Sequence, residues 1–166
     1  GFKQVGVFNT AVDATEPGAL KPGQAYEFSF TASPGDRLSF TEMFGQSNDL
    51  FFSPDENGIA LFSPSGSPIG GTFSGAIHLW DAGTEVNQEP FVGSDQAPRQ
   101  SAPDTGAAEN GTVRPIYWVD DGFTYPNAIS SIKVTITNSA GMEMNMMSMS
   151  DMNMMGTMMP EATPAS

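Results

Sequence analysis

Asp81 and Glu85 stand four residues apart across Ala82-Gly83-Thr84. Gly83 allows a loop to curl until both carboxylates converge, and the small Ala82 leaves room for them. A hard cation such as calcium takes six to eight oxygens at about 2.3–2.6 Å, from carboxylates, amides, carbonyls and water. Asp49 offers a third oxygen source, by side chain or carbonyl, and Asn48 and Asn87 are weaker candidates. Three acids brought together without a cation would repel one another. The same residues also read as a turn cap at Asp81 and a solvated Glu85, because acidic loops are common in so acidic a chain. Paired carboxylates also serve glycoside hydrolysis, but little sequence remains here to build a substrate cleft. Asp120-Asp121-Gly122 is a second acidic loop, which Asx-turn chemistry explains without a metal.

A different chemistry gathers at the carboxyl end. Ten of the eleven methionines lie between 142 and 159. Met142, Met144, Met146, Met147, Met149, Met152, Met154 and Met155 form M-x-M and M-M spacings, followed by Met158 and Met159. Thioether sulfur is a soft ligand suited to Cu(I), and it needs no deprotonation. The segment reads equally as an apolar surface for docking or assembly, or as low-complexity chain that consumes oxidants through sulfoxide formation.

The remaining composition closes off other classes. Six Lys+Arg against nineteen Asp+Glu give −13 over 166 residues. That balance argues against nucleic acid and anionic membrane surfaces, which need basic patches. Without cysteine there is no disulfide, thiolate metal site or Cys nucleophile. His78, the single histidine, reads as a strand-surface residue rather than a catalyst. No apolar run reaches the roughly 18 residues of a membrane span. The chain starts at Gly1 rather than Met, which points to removal of an upstream segment and to a secreted, extracellular or cell-surface protein, with the periplasm as the other compartment. Asn110-Gly111-Thr112 is a glycosylation sequon.

The elements that must position these residues are short. Two zones are expected: a domain over 1–140 and a Met-rich tail over 141–166. Gly (18) and Pro (13) punctuate the chain often enough that strands joined by turns are expected and long helices are not. Alternation predicts strands over 2–9, 25–32 and 37–44, the last two as a hairpin about Pro34-Gly35-Asp36. Shorter strands are expected at 48–52, 59–62, 73–80 and 113–119, and the clearest at 129–137. Residues 86–112 read as a long irregular loop, and loops of that length tend to carry function. Trp80 and Trp118 are expected in the core or beneath the acidic loop. Together these elements predict an antiparallel β-sandwich of about seven to eight short strands.

Two segments go further. Ser47-Asn48-Asp49-Leu50-Phe51-Phe52 and Trp80-Asp81-Ala82-Gly83-Thr84-Glu85, followed by Val86-Asn87, resemble in order and separation the two motifs of the spondin amino-terminal domain family. The resemblance covers roughly 13–137. It implies a β-sandwich with one calcium at its end, held here by Asp49, Asp81 and Glu85, and a non-enzymatic role in adhesion or structural assembly at the cell surface. The animal disulfides are absent, an amino-terminal strand carried by longer members is missing, and the Met tail is not a family feature. A missing strand beside an apolar extension allows strand exchange into homo-oligomers or filaments, or engagement of a matrix or surface partner. The alternative is an extracellular Cu(I)-binding protein that uses the Met tail.

Overall fold

The computed structural model describes residues 1–139. The methionine-rich segment, with its expected roles in soft-metal binding, docking and assembly, lies outside the described residues. Among the described residues eight strands are found: β1 (Arg37–Leu38), β2 (Glu42–Met43), β3 (Leu50–Pro54), β4 (Ile59–Ala60), β5 (Gly71–Thr72), β6 (Ile77–Asp81), β7 (Arg114–Pro115) and β8 (Thr135–Ile136). They form a four-stranded sheet in the order β2-β3-β6-β7 and two ribbons, β1-β4 and β5-β8. Every pairing is antiparallel, and the fold is all-β.

The longest pairing, β3 with β6, carries the core. Directly opposed residues of an antiparallel pair share a face. Leu50, Phe52 and Pro54 therefore share a face with Asp81, Leu79 and Ile77. All six are buried. Ile59 and Ala128 complete the buried cluster, with Leu38, Phe40, Phe44 and Ile116 packed against it. The same alternation that sends Ile77 and Leu79 inward sends Asp81 inward two residues later. Its carboxylate is fully buried at the end of the sheet.

Several elements differ from expectation. Residues 2–9 and 25–32 form no strand; a single bridge joins Tyr26 to Ala11, just past the first of these segments. Phe2, Val5 and Val7 are exposed, while Phe8 stacks on Phe28 at 5.0 Å. Side-chain stacking replaces a ladder there. The hairpin about residue 35 does not form, because β1 pairs with β4 and β2 with β3. Ile129–Thr137 begins instead as a single helical turn, α1 (Ala128–Ser131). The Asn127 side chain accepts from the Ile129 N–H at 2.9 Å, a cap that favours a helical start over a strand. No helix among the described residues is long and apolar enough to cross a membrane.

Candidate functional site

The two acidic turns meet at the end of β3 and β6. Leu50 pairs with Asp81, so Asn48 and Asp49, just before β3, face the turn just after β6. One Asp49 oxygen, Oδ2, accepts from the Thr84 N–H at 2.7 Å, the Thr84 hydroxyl at 2.7 Å and the Glu85 N–H at 3.0 Å. Asn48 Oδ1 accepts from the Gln88 N–H at 3.1 Å. A carboxylate can accept several donors at once, so one side chain fastens a turn 35 residues away. Gly83 makes the curl: its φ is +71°, and its N–H donates to Asp81 Oδ1 at 2.7 Å.

Asp81 has a different set of neighbours. Its Oδ2 accepts from Asn87 Nδ2 at 3.1 Å, Arg114 Nε at 3.1 Å and Arg114 Nη2 at 2.9 Å. Arg114 also pairs with Glu109. These two carboxylates, Asp81 first, hold the guanidinium proton more tightly than usual. Arg114 was not among the residues singled out from sequence. The signal that could have found it is elementary: a buried carboxylate needs a cation or dense hydrogen bonding, and only six basic residues exist.

Glu85 is buried, and its Oε1 receives a long hydrogen bond from the Gly106 N–H at 3.3 Å. The 86–112 loop folds back along the turn. Val86 N–H donates to Ala107, Glu109 N–H to Thr84 and Gly111 N–H to Gly83, with a bridge between Glu85 and Ala108. Inside the loop, fully buried Gln96 donates through Nε2 to the Glu89 carbonyl at 2.9 Å and accepts from Arg99. The loop is therefore irregular but internally fastened, a role for Gln96 that no motif announces.

The structure thus joins the segments holding Asn48, Asp49, Asp81, Glu85 and Asn87, but divides their roles. Among the described residues, Asp49 Oδ1 is buried with no hydrogen-bond partner, and the Glu85 carboxylate has only its one long bond from the Gly106 N–H. These are hard oxygens of the kind calcium takes. Asp81 Oδ2 is taken up by Arg114 and Asn87, and Asn87 turns its amide nitrogen, not its oxygen, to Asp81. Among the described residues, no three His, Cys, Asp or Glu side chains come together as a metal-holding group. Asp81 Oδ2 is thus engaged within the protein, whereas Asp49 Oδ1 and the Glu85 carboxylate hold the less engaged oxygens.

The other sequence candidates also have places. Asp121 Oδ1 accepts from the Phe123 N–H at 3.0 Å, an Asx turn, and the Tyr125 hydroxyl donates to its other oxygen. Burial first, then that Asp121 contact, drives the Tyr125 pKa far up. His78 lies in β6 opposite Ser53, with its ring edge-on to Trp80 at 6.2 Å. Trp80 is partly buried and donates to the Ser53 carbonyl at 3.2 Å. Trp118, expected inside, is 70% exposed, because a 3-10 turn over Ile116–Trp118 follows β7 and rotates it out of the strand's alternation. Asn110 of the sequon is exposed. Compared with known protein families, with curated proteins and with solved structures, this chain matches none of them.

Proposed function

We propose that this chain is a secreted, non-enzymatic module of the spondin type, serving adhesion or structural assembly at a cell surface, and that calcium held by Asp49 and Glu85 stiffens its loop rim. One observation carries the reading. Asp49 fastens the Thr84–Glu85 turn with one oxygen while its other oxygen is buried and, among the described residues, without a partner. Calcium at that oxygen would supply positive charge to a rim rich in carboxylates and would add a third tie between the two turns. The exposed apolar side chains of Phe2, Val5 and Val7 support the assembly part, since among the described residues no strand pairs with 2–9.

Calorimetric melting with calcium or with chelator tests the cation. Ligand at a hundred times its dissociation constant adds about 2.7 kcal/mol. For a chain of this size that is an upward shift of several degrees. Asp49→Asn should abolish the shift. An unchanged midpoint in the wild type would remove calcium from the reading. Sedimentation of the full chain across a concentration series tests assembly, and a monomer throughout would remove that part.

A further inference from the structure

We propose a second site on this chain: a cleft beside Trp118 that binds a neutral saccharide. The cleft has a volume of about 370 Å³ and is walled by Asn87, Glu109, Arg114, Trp118, Asp120 and Asp121. That volume falls within the roughly 300–1,000 Å³ of small-molecule sites. Its chemistry is mixed in a particular way. Trp118 offers an exposed indole, with the Tyr117 ring edge-on to it at 5.8 Å. Such a flat apolar face suits the C–H face of a sugar ring. Tyr117 and Trp118 are both largely exposed and lie side by side, and contiguous exposed apolar surface rimmed by polar groups marks an interaction site.

Two of those polar groups, Asn87 and Arg114, are held in place and only partly used. Asn87 donates through Nδ2 to Asp81, and Arg114 uses Nε and Nη2 on Asp81 and Glu109. The Asn87 oxygen, Arg114 Nη1 and the Asp120 carboxylate make no side-chain hydrogen bond among the described residues. The cleft walls therefore hold, among the described residues, both an unengaged donor and unengaged acceptors, the combination a hydroxyl needs because it donates and accepts at once. Fully buried Asp81 anchors two of the walls, so their geometry is set before a ligand arrives.

Charge narrows the ligand class. Glu109, Asp120 and Asp121 outnumber Arg114 in the walls, and the field of the whole chain is negative. Uronates and sulfated sugars are repelled. A compact organic cation is the competing occupant, since it would also find an aromatic face and carboxylates. Arg114 opposes it, since its positive charge repels a cation and its donors call for an accepting group such as a hydroxyl. This site does not rest on calcium at the rim.

The two tryptophans make the test direct. Neutral oligosaccharides of glucose, galactose, mannose and N-acetylglucosamine are titrated into the full chain, with emission and calorimetry as readouts, once with calcium and once with chelator. At least one should shift the emission of Trp118, and Trp118→Ala and Asp120→Asn should each weaken it by about tenfold or more. Phe91→Ala, an exposed aromatic outside the cleft, should leave binding unchanged. Far-ultraviolet circular dichroism checks that each variant folds. The proposal is overturned if no saccharide in the panel binds, if binding survives Trp118→Ala, or if tetramethylammonium binds there and the sugars do not. Loss of the calcium response with saccharide binding intact would sink only the rim reading.

Discussion

Asp81 and Arg114 stand directly opposite each other across the β6–β7 ladder, and the guanidinium grips one carboxylate oxygen with two nitrogens at 3.1 and 2.9 Å. The acid is completely buried, whereas a third of the Arg114 side chain reaches solvent. Breaking a buried pair from one side leaves a charge with no partner, which is far worse than removing both. Arg114→Met should therefore cost on the order of 3 kcal/mol, toward the low end because solvent reaches the arginine. Adding Asp81→Asn in the same chain should recover much of that, since Asn keeps an oxygen for the Gly83 N–H. Urea denaturation of the single and double variants measures this, and equal losses would contradict the pairing.

Asp49 does its work through hydrogen bonds across a long sequence separation. Asp49→Ala removes the acceptor of two backbone N–H groups and one hydroxyl at the Thr84–Glu85 turn. Leaving such donors unmet costs about 1–3 kcal/mol. Amide hydrogen exchange should speed up at Thr84 and Glu85 first, while Leu79 in the centre of β6 keeps its protection. Uniform loss of protection across the sheet would mean that Asp49 serves the whole fold and not the turn.

Gly83 has no room for a side chain. A Cβ there would meet Thr112 N at 2.7 Å, Gly111 C at 2.9 Å and Thr112 O at 2.9 Å. All three are backbone atoms, which cannot rotate away. The φ of +71° adds strain for any other residue. Gly83→Ala should cost about 1–3 kcal/mol and detach the 109–112 segment from the turn. Proteolysis of the native protein reads this out: cleavage after Arg99 or Arg114 should become faster than in the wild type.

How much of this was legible in the sequence depends on what each feature needs. The facing of β3 and β6 needs only alternation within a strand, and Leu50, Phe52, Ile77 and Leu79 supply it. Alternation at Tyr26, Phe28 and Phe30 is as clean, but these rings stack with Phe8 and with one another without a ladder. A pattern names a face, and it does not name a partner. At 128–131 the Asn127 cap outweighed the β-branched run behind it. The sequence suggested that the Asp49 and Asp81–Glu85 turns meet, but as oxygen donors to one cation; that Asp49 accepts from the Thr84 and Glu85 N–H groups was not readable, because it depends on backbone geometry. The Asp81–Arg114 pair was not readable either, because it depends on the register of a strand 33 residues away. Nor was the exposure of Trp118, which follows from where β7 stops.

Two carboxyl groups should give the stability curve opposing slopes. Burial raises the Glu42 pKa. A raised group binds its proton more tightly when folded, so its contribution is complete below the ordinary Glu value and is lost as pH rises through the higher folded value. Asp36 is lowered, first by its hydrogen bond from Lys3 and then by the Ser33 N–H. Its contribution is complete above the ordinary Asp value and is lost as pH falls through the lower folded value. Glu42→Gln should therefore raise stability at neutral pH by no more than about 1 kcal/mol and flatten the curve just above the ordinary Glu range. Asp36→Asn should instead flatten it on the acid side, and salt should weaken that effect because Lys3 is exposed. Melting midpoints across pH check both signs, and a reversed sign at either residue would refute its assignment.

The methionines supply the last prediction and the test of the copper alternative. Cu(I) prefers thioether sulfur, whereas calcium requires hard oxygen. The two ions should therefore act on separate parts of the chain. Replacing Met142, Met144, Met146, Met147, Met149, Met152, Met154 and Met155 with Leu keeps apolar bulk but removes the sulfur. Cu(I) titration against a chromophoric chelator should then fall to background while the calcium response of the melt is unchanged. Apolar docking or assembly through the same segment would survive that replacement, since leucine packs as well as methionine. Copper uptake equal in both chains would place the soft metal elsewhere, and loss of assembly in the Leu chain would show that the sulfur, rather than the hydrophobicity, joins the copies.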